Sequence, residues 1–196
     1  MENRSLTTEV SRANQDLSSS LQDRFPRHYE AKSAINASAE MVFAHVDDQA
    51  RLSSHMSQSS WETGGGSMKI EFDKDHGQTV GSLIRLSGRI LGMTLLVEEV
   101  VAERTPPRQK VWETIGSPRL LVIGHYRMGF DIEPQGERSL LSVYIDYALP
   151  ASGLARWLGW IFGGFYARWC VGQMVRDTAE HFRHYSTSEV VRAAWR

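Results

Sequence analysis

Apolar and polar residues alternate along most of the chain between positions 27 and 149. Alternating runs bounded by Gly, Pro or Asp are typical of strands with one buried face. Because the connections between the later runs are short, we expect neighbouring strands there to pair antiparallel as a meander. The predicted strands cover 27–36, 67–73, 79–90, 93–103, 110–115, 120–133 and 139–149.

Two short helices are predicted between the first and second strands. Ser38 is placed to cap the first helix, and Val42, Phe43 and Val46 give that helix one apolar side. The second helix begins at the Asp pair and occupies part of 47–55. Two small helices directly after a single strand are an unusual order, which helps to identify the fold.

One long apolar segment follows the strands at 149–185, LPASGLARWLGWIFGGFYARWCVGQMVRDTAEHFRHY. It starts with Pro-Ala-Ser and then carries apolar residues at helical spacing, which predicts a single long helix. The glycine pair at 163–164 indicates a kink or a close approach to the sheet. We therefore predict an α+β fold, in which a curved seven-stranded antiparallel sheet (order β-α-α-β6-α) wraps around the helix and encloses a pocket.

Composition sets the boundaries and excludes several classes of protein. Residues 1–26 are polar with scattered Leu, so we expect a mobile arm, then one domain at 27–185 and a tail at 186–196. The net charge of −1 gives no electrostatic case for nucleic acid. The N-terminus lacks an apolar run, and the most apolar window, 154–165, is too short to span a bilayer, so we expect a cytoplasmic protein.

Four stretches resemble a known superfamily. They are INASAEMVF at 35–43, VEEV at 97–100 leading to TPPR at 105–108, and YALP at 147–150. In this order the chain resembles the SRPBCC superfamily of START-like and polyketide cyclase/dehydrase-like proteins. The resemblance covers 27–185 and implies a helix-grip fold with an apolar cavity between the sheet and the final helix. Members include lipid and sterol carriers, quinone-binding proteins and aromatase/cyclases, so membership does not choose between carrier and enzyme.

Strand alternation predicts which side chains line the cavity. On the last two strands one face is apolar and most charged residues occupy the other, so we expect no ionisable group to protrude into the cavity. Such a wall suits an aromatic or acyl ligand, in a void of roughly 300–1,000 Å³. The predicted ligand-binding residues are Tyr126, Met128, Phe130, Val143, Ile145 and Tyr147 on the sheet and Leu158, Phe162, Phe165 and Trp169 on the helix.

The start of the last helix is apolar on nearly every side. Leu154, Leu158, Ile161 and Phe165 share one stripe, which we expect to face the sheet. The remaining Trp and Phe side chains need another cover. Three covers are open: the loop at 56–66, a homodimer face, or transient contact with a membrane surface while a lipid is loaded.

The sequence contains no convincing catalytic set. His181 and His184 lie near the end of the last helix, where an interaction with the helix dipole explains them, so we predict no metal site. Cys170 fits a small buried hydrophobe. Cyclases of the superfamily use an Arg or Tyr to stabilise an enolate, but Arg85 falls on a polar strand face. We predict no cofactor.

The leading hypothesis is binding of a small hydrophobic ligand, such as a lipid, a quinone or a polyketide-like molecule, between the sheet and the helix. One alternative is a cyclase/dehydratase that acts on a polyketide-like substrate. The other is an oligomerising interaction module that uses the Trp-rich helix. An ionisable group in the cavity would favour the enzyme, and a collapsed cavity with an oligomer would favour the interaction module.

Overall fold

The structure, a computed structural model, describes residues 19–53, 68–90, 93–151 and 153–194. From residue 27 onward it confirms the predicted order of one strand, two short helices, six strands and one long helix. The loop at 56–66 lies outside the described residues. The elements are β1 (Arg27–Ile35), α1 (Ala39–Val46), α2 (Gln49–Leu52), β2 (Met68–Phe72), β3 (Leu83–Ile90), β4 (Met93–Thr105), β5 (Gln109–Arg119), β6 (Tyr126–Gln135), β7 (Arg138–Tyr147) and α3 (Gly153–Ala194).

The seven strands form one antiparallel sheet in the order β1-β7-β6-β5-β4-β3-β2. Strands β2 to β7 follow one another as the predicted meander, and β1 pairs with β7, with Arg27 opposite Tyr147. The register between β4 and β5 is irregular after Leu96 and again after Val101, and such irregularities bend a sheet. The long helix α3 packs against β1 and β7, and the fold is the predicted α+β helix grip.

The apolar faces predicted for the last two strands are buried. Phe130 on β6 and Val143 on β7 are wholly enclosed, whereas Asp131 lies on the other, exposed face of β6. The strand predicted at 79–90 starts later than predicted, and Val80 is exposed. Strand β3 begins only at Leu83, and the chain before it forms a turn, so alternation does not apply there.

The closing helix is longer than predicted. It begins at Gly153, a few residues after the predicted start, and continues to Ala194 rather than ending at Tyr185. The segment predicted as a tail is therefore helical as far as Ala194. The apolar repeat fades near Tyr185, but no Gly or Pro follows that would stop a helix.

The face that α3 turns toward the sheet differs from the predicted one. Leu154 and Phe165 are 73% and 72% exposed, so the stripe predicted to face the sheet faces outward. The packed side carries Gly159 and Gly163. A Cβ atom at these two positions would lie 2.7 and 2.9 Å from the carbonyl oxygen of Val122. The glycines therefore allow the helix to approach the Val122 backbone closely, and large side chains on these first turns, such as Trp157 and Phe165, point outward.

The end of the predicted N-terminal arm packs onto the domain. Residues 1–18 lie outside the described residues, but residues 19–24 are helical. Phe25 is buried, and Arg24 Nη1 lies 3.4 Å from Glu113 Oε1 on β5. The expectation of a mobile arm is therefore wrong for Phe25. The segment is polar on average, but the aromatic ring of Phe25 supplies enough apolar area to be buried against the domain.

A buried ion-pair group joins the end of α1 to the sheet. The Asp47 carboxylate accepts hydrogen bonds from Nε and Nη2 of Arg104, at 3.1 and 2.8 Å. Lys110 Nζ donates to the backbone carbonyl of Asp47 at 2.8 Å. Burial alone would raise the pKa of Asp47, but the hydrogen bonds and the two positive charges outweigh it and lower the pKa. This group fixes the start of α2, which carries Gln49.

Candidate ligand cavity

A cavity of about 40 Å³ lies between the sheet and α3. Strands β3 to β7 supply one wall, and the segment between β5 and β6 and the α2 region complete it. The lining residues are Gln49, Ser53, Leu86, Val97, Glu99, Trp112, Leu120, Ile123, Tyr126, Met128, Ile145, Tyr166, Cys170 and Met174.

The cavity is smaller than the void of roughly 300–1,000 Å³ that was predicted. One water molecule needs a cavity volume of roughly 10–15 Å³ on the same scale, so this cavity has room for more than one water. Phe130, a predicted ligand-binding residue, fills the core instead of lining the cavity. Its ring centroid lies 5.7 Å from that of Phe43 and 6.4 Å from that of Trp112. Large side chains therefore occupy most of the space that the prediction left open.

The remaining residues predicted on the sheet divide into two groups. Tyr126, Met128 and Ile145 line the cavity as predicted. Val143 and Tyr147 belong to the same buried face but lie in the core beside it. Alternation therefore identified the correct face, and the packing of individual side chains decided which members border the open space.

The four residues predicted on the helix are not among the lining residues. Phe162 and Phe165 are exposed, and Leu158 and Trp169 are half-buried. The physical reason is the rotation of α3 about its own axis. The side that carries Gly159 and Gly163 lies against the backbone at Val122, so these four side chains do not reach the cavity. The helix residues that do line the cavity are Tyr166, Cys170 and Met174.

An acidic side chain enters the cavity, contrary to the prediction. Glu99 on β4 is 3% exposed and lines the cavity. The buried face of β4 consists of Leu95, Val97, Glu99 and Val101, at every second position. The prediction assigned no faces to the strand at 93–103, which is β4. Alternation continued through β4 would have placed Glu99 inside.

Glu99 is hydrogen bonded within the cavity. The phenol hydroxyl of Tyr126 donates to Glu99 Oε1. Burial raises the pKa of Glu99 to about 7, although the Tyr126 hydrogen bond and the charge of Lys110 both lower it. Burial also raises the pKa of Tyr126, and the neighbouring Glu99 adds to that rise. Near neutral pH, Glu99 therefore exchanges between an acid that donates a hydrogen bond and a carboxylate that accepts one.

Further polar groups border the cavity from both sides. On α3, burial raises the pKa of the Cys170 thiol to about 12, so the thiol stays protonated and is a poor nucleophile near neutral pH. On α2, Gln49 is buried, and its Oε1 has no hydrogen-bond partner among the described residues. Buried polar atoms normally have a partner, so this oxygen is available to accept a hydrogen bond from a ligand.

The other residues considered for chemistry lie outside the cavity lining. Arg85 is exposed, as its strand face predicted, and its Nε donates to Glu98 Oε1 at 3.0 Å. His181 stacks on His45, with ring centroids 4.1 Å apart, and the side chain of His184 lies outside the described part. Within the described ranges, no group of three or more His, Cys, Asp and Glu could hold a metal ion. None of the helices described here is long and apolar enough to cross a membrane.

Solved structures of other proteins share this fold. A norcoclaurine synthase from Thalictrum flavum, solved as a point mutant with a transition-state analogue, is 12% identical with a TM-score of 0.56, and the match covers 82% of this chain and 96% of that one. The Zhui aromatase/cyclase from Streptomyces sp. R1128 is 14% identical with a TM-score of 0.57, covering 80% and 93%. At these identities the likeness shows the fold. No curated protein sequence matches the chain significantly.

The sequence model of one protein family also matches. The family is described as polyketide cyclase / dehydrase and lipid transport, and the match covers residues 26–186. That range includes every strand and all of the residues that line the cavity. It agrees with the resemblance drawn from the sequence pattern. The chain therefore belongs to the polyketide cyclase / dehydrase and lipid transport family.

Proposed function

We propose that this protein binds a small hydrophobic ligand with one hydrogen-bonding group in the cavity between the sheet and α3. The observation that carries the proposal is the Glu99–Tyr126 pair in a largely apolar cavity. A buried carboxyl group costs stability, and the other buried positions on this face of β4 carry Leu and Val. A buried acid with a strongly raised pKa is typical of a functional site.

The polar groups of the cavity suit a hydroxyl or carbonyl group on an otherwise apolar molecule. Protonated Glu99 donates to a carbonyl oxygen, and ionised Glu99 accepts from a hydroxyl. Oε1 of Gln49, which has no hydrogen-bond partner in the described part of the chain, supplies a second acceptor. The rest of the lining, including Leu86, Val97 and Ile145, contacts the apolar body of the ligand.

A ligand larger than a few waters requires side chains to move. Met128 and Met174 face the cavity from the sheet and from the helix, respectively. Methionine has three rotatable bonds and adapts to irregular space, so these two residues are the natural place for the cavity to expand. Replacing Met174 with Phe, whose ring is rigid, is expected to block binding.

The test compares two probes that differ by one hydroxyl group, 2-naphthol and naphthalene. We expect wild-type protein to bind 2-naphthol more tightly than naphthalene, as measured by fluorescence titration. Glu99→Leu is expected to remove that preference, a loss of about tenfold in affinity for 2-naphthol. Glu98→Leu is the matched control, because Glu98 is the adjacent residue on the opposite face of β4 and should leave the preference intact.

Two results would overturn the binding proposal. One is that neither probe binds to wild-type protein and that native mass spectrometry of protein purified without added ligand shows no bound small molecule. The other is equal binding of both probes to wild type, Glu99→Leu and Met174→Phe, because binding would then occur outside the cavity.

A second candidate function is acid–base catalysis of the cyclase/dehydratase type on a polyketide-like substrate. The observation that favours it is the pKa of Glu99, near neutral pH, within hydrogen-bonding distance of Tyr126. Ionised Glu99 would take a proton from the carbon next to a ketone, and Tyr126 would hydrogen bond to the enolate oxygen that forms. The protonated Glu99 would then return its proton to carbon or to a leaving hydroxyl group.

Deuterium exchange separates this candidate from simple binding. The α-protons of 2-tetralone in D₂O, followed by NMR, are expected to exchange faster with wild-type protein, at a rate that rises with pH through about 7 as Glu99 ionises. Glu99→Gln keeps the hydrogen-bonding capacity and should bind 2-naphthol yet lose the exchange activity. Equal exchange rates with wild type and Glu99→Gln would exclude Glu99 as the base.

A further inference from the structure

The outward side of the first turns of α3 is apolar and exposed. We call this surface the outer face of α3. Its side chains are between 41% and 73% exposed, and at about 100° per residue they spread over roughly half of the helix circumference. Exposed apolar patches of this kind mark interaction sites in water-soluble domains. The outer face consists of Leu154, Trp157, Trp160, Ile161, Phe162 and Phe165.

The charge around the outer face has one sign. Arg156 and Arg168 lie on the same turns and are exposed. The sequence contains no Asp or Glu between Asp146 and Asp177. Among the described residues, Arg156 donates only to a backbone carbonyl, and the guanidinium carbon of Arg168 lies 5.9 Å from the centre of the Tyr29 ring. Both arginines therefore keep their positive charge available to an anionic partner.

We propose that the outer face of α3 docks onto the surface of an anionic lipid bilayer. An amphipathic helix with Trp, Phe and Leu on one side and basic residues at its border is suited to lie in the plane of the membrane interface. Trp157 and Trp160 would sit at the headgroup level, where indole rings are favoured. Arg156 and Arg168 would contact lipid phosphates.

A second copy of the chain fits the same surface less well. A twofold interface brings the same patch of both subunits together. It would place Arg156 and Arg168 of one copy near those of the other, with no acidic residue on these turns to compensate. An anionic membrane offers apolar depth and negative charge at once, which matches both properties of the outer face.

Docking in this way would bring the cavity close to the lipid. Tyr166 and Cys170 line the cavity on the inner side of α3, next to Phe165 on the outer face. The helix that contacts the membrane would then also form a cavity wall. The docking proposal stands on the outer face alone and does not depend on the identity of any ligand.

The test is flotation of full-length protein with vesicles of phosphatidylcholine alone and of phosphatidylcholine mixed with phosphatidylserine. We expect binding to the anionic vesicles that weakens at high salt. The Trp157→Ser/Trp160→Ser variant should bind them at least about tenfold more weakly, through lost apolar burial. Arg156→Gln/Arg168→Gln should lose the preference for anionic lipid. The matched control is Val80→Ser/Leu83→Ser, which removes two exposed apolar residues elsewhere and should bind like wild type.

Several outcomes would overturn the proposal. Wild-type protein that does not float with anionic vesicles would do so, as would equal loss of binding in the control variant. A third is a wild-type dimer, observed by light scattering, that the Trp157→Ser/Trp160→Ser variant converts to monomer without any membrane binding by either protein. That result would assign the outer face to a second copy. Unchanged thermal unfolding of each variant confirms that the fold is intact.

Discussion

Tyr126 and Glu99 meet inside the cavity although their strands are not neighbours in the sheet. Tyr126 lies on β6 and Glu99 on β4, and β5 runs between them. Strands two apart are separated by about 10 Å, which the two long side chains span above the sheet. Their hydrogen bond therefore spans the width of β5, and both residues line the cavity.

The free energy of unfolding should depend on pH through the ionisation of Glu99. Its pKa is about 7 in the folded protein and 4.5 when the chain is unfolded, so the folded state holds the proton more firmly. The stabilisation that Glu99 contributes is therefore complete below its unfolded-state pKa of 4.5. It is lost as the pH rises through its folded-state pKa of about 7. Relative to Glu99→Gln, we expect the free energy of unfolding of wild type to fall by roughly 3 kcal/mol across this window.

Urea unfolding at about pH 4 and about pH 8 measures this difference. Glu98→Gln serves as the control, since Glu98 lies on the outer face of β4 and should follow wild type apart from a small constant offset. A wild-type-minus-Glu99→Gln difference that does not change with pH would show that Glu99 titrates normally.

Tyr126→Phe should destabilise the protein by removing the donor to a buried carboxyl group. We expect a loss of about 1–3 kcal/mol in the free energy of unfolding, and a larger loss above the pKa of Glu99, where the carboxylate is left without its partner. The pKa of Glu99 should rise further, because the Tyr126 hydrogen bond lowers it in wild type. Carboxyl ¹³C chemical shifts across pH measure that change. An unaltered pKa would mean that the hydrogen bond is absent in solution.

The two neighbouring glycines of α3 should respond oppositely to alanine. A Cβ at Gly163 would lie 2.9 Å from the Val122 carbonyl oxygen, which cannot move aside easily, so Gly163→Ala should destabilise by about 1–3 kcal/mol. At Gly164 the nearest atom is the Tyr147 hydroxyl at 3.7 Å, an ordinary contact. Gly164→Ala should stabilise by up to about 1 kcal/mol through helix propensity. Thermal unfolding of both variants tests the packing of α3.

Two phenylalanines should differ strongly although both belong to the predicted ligand-binding set. Phe130 is wholly buried, and Phe130→Ala should cost about 3–5 kcal/mol of stability. Phe165 is 72% exposed, and Phe165→Ala should change the free energy of unfolding by less than about 0.5 kcal/mol. Urea unfolding measures both. A large loss for Phe165→Ala would mean that the outer face of α3 is covered in solution.

His45 should weaken the fold in acid. Burial, with a smaller contribution from the charge of His181, lowers the pKa of His45 to about 4 from 6.5. Because the pKa of His45 is lower in the folded state, the unfolded chain binds the proton first as the pH falls. The folded state therefore loses stability between pH 6.5 and about pH 4. Compared with wild type, His45→Phe should lose less stability between about pH 7 and about pH 4.5. Parallel pH curves for the two proteins would contradict this.

The order of elements and the buried faces of the strands could be predicted from the sequence. Large apolar residues recur at every second position of β6 and β7, and a strand with this period of two has one face that it buries. The same rule would have located Glu99, which occupies a position among Leu95, Val97 and Val101 where an apolar residue is expected. Local periodicity predicts the buried face because successive side chains of a strand point to opposite sides of the sheet.

The tertiary structure decided what periodicity cannot distinguish. The start of α3 is apolar on nearly every side, so the spacing of its hydrophobic residues does not predict which side faces the sheet. The close approach of Gly163 to the Val122 carbonyl fixes the rotation of the helix. The pairing of β1 with β7 joins the two ends of the sheet segment of the chain and has no local signal. The size of the cavity depends on how rings such as Phe130 and Trp112 pack together. All three are contacts between residues distant in sequence, whose geometry depends on the whole fold.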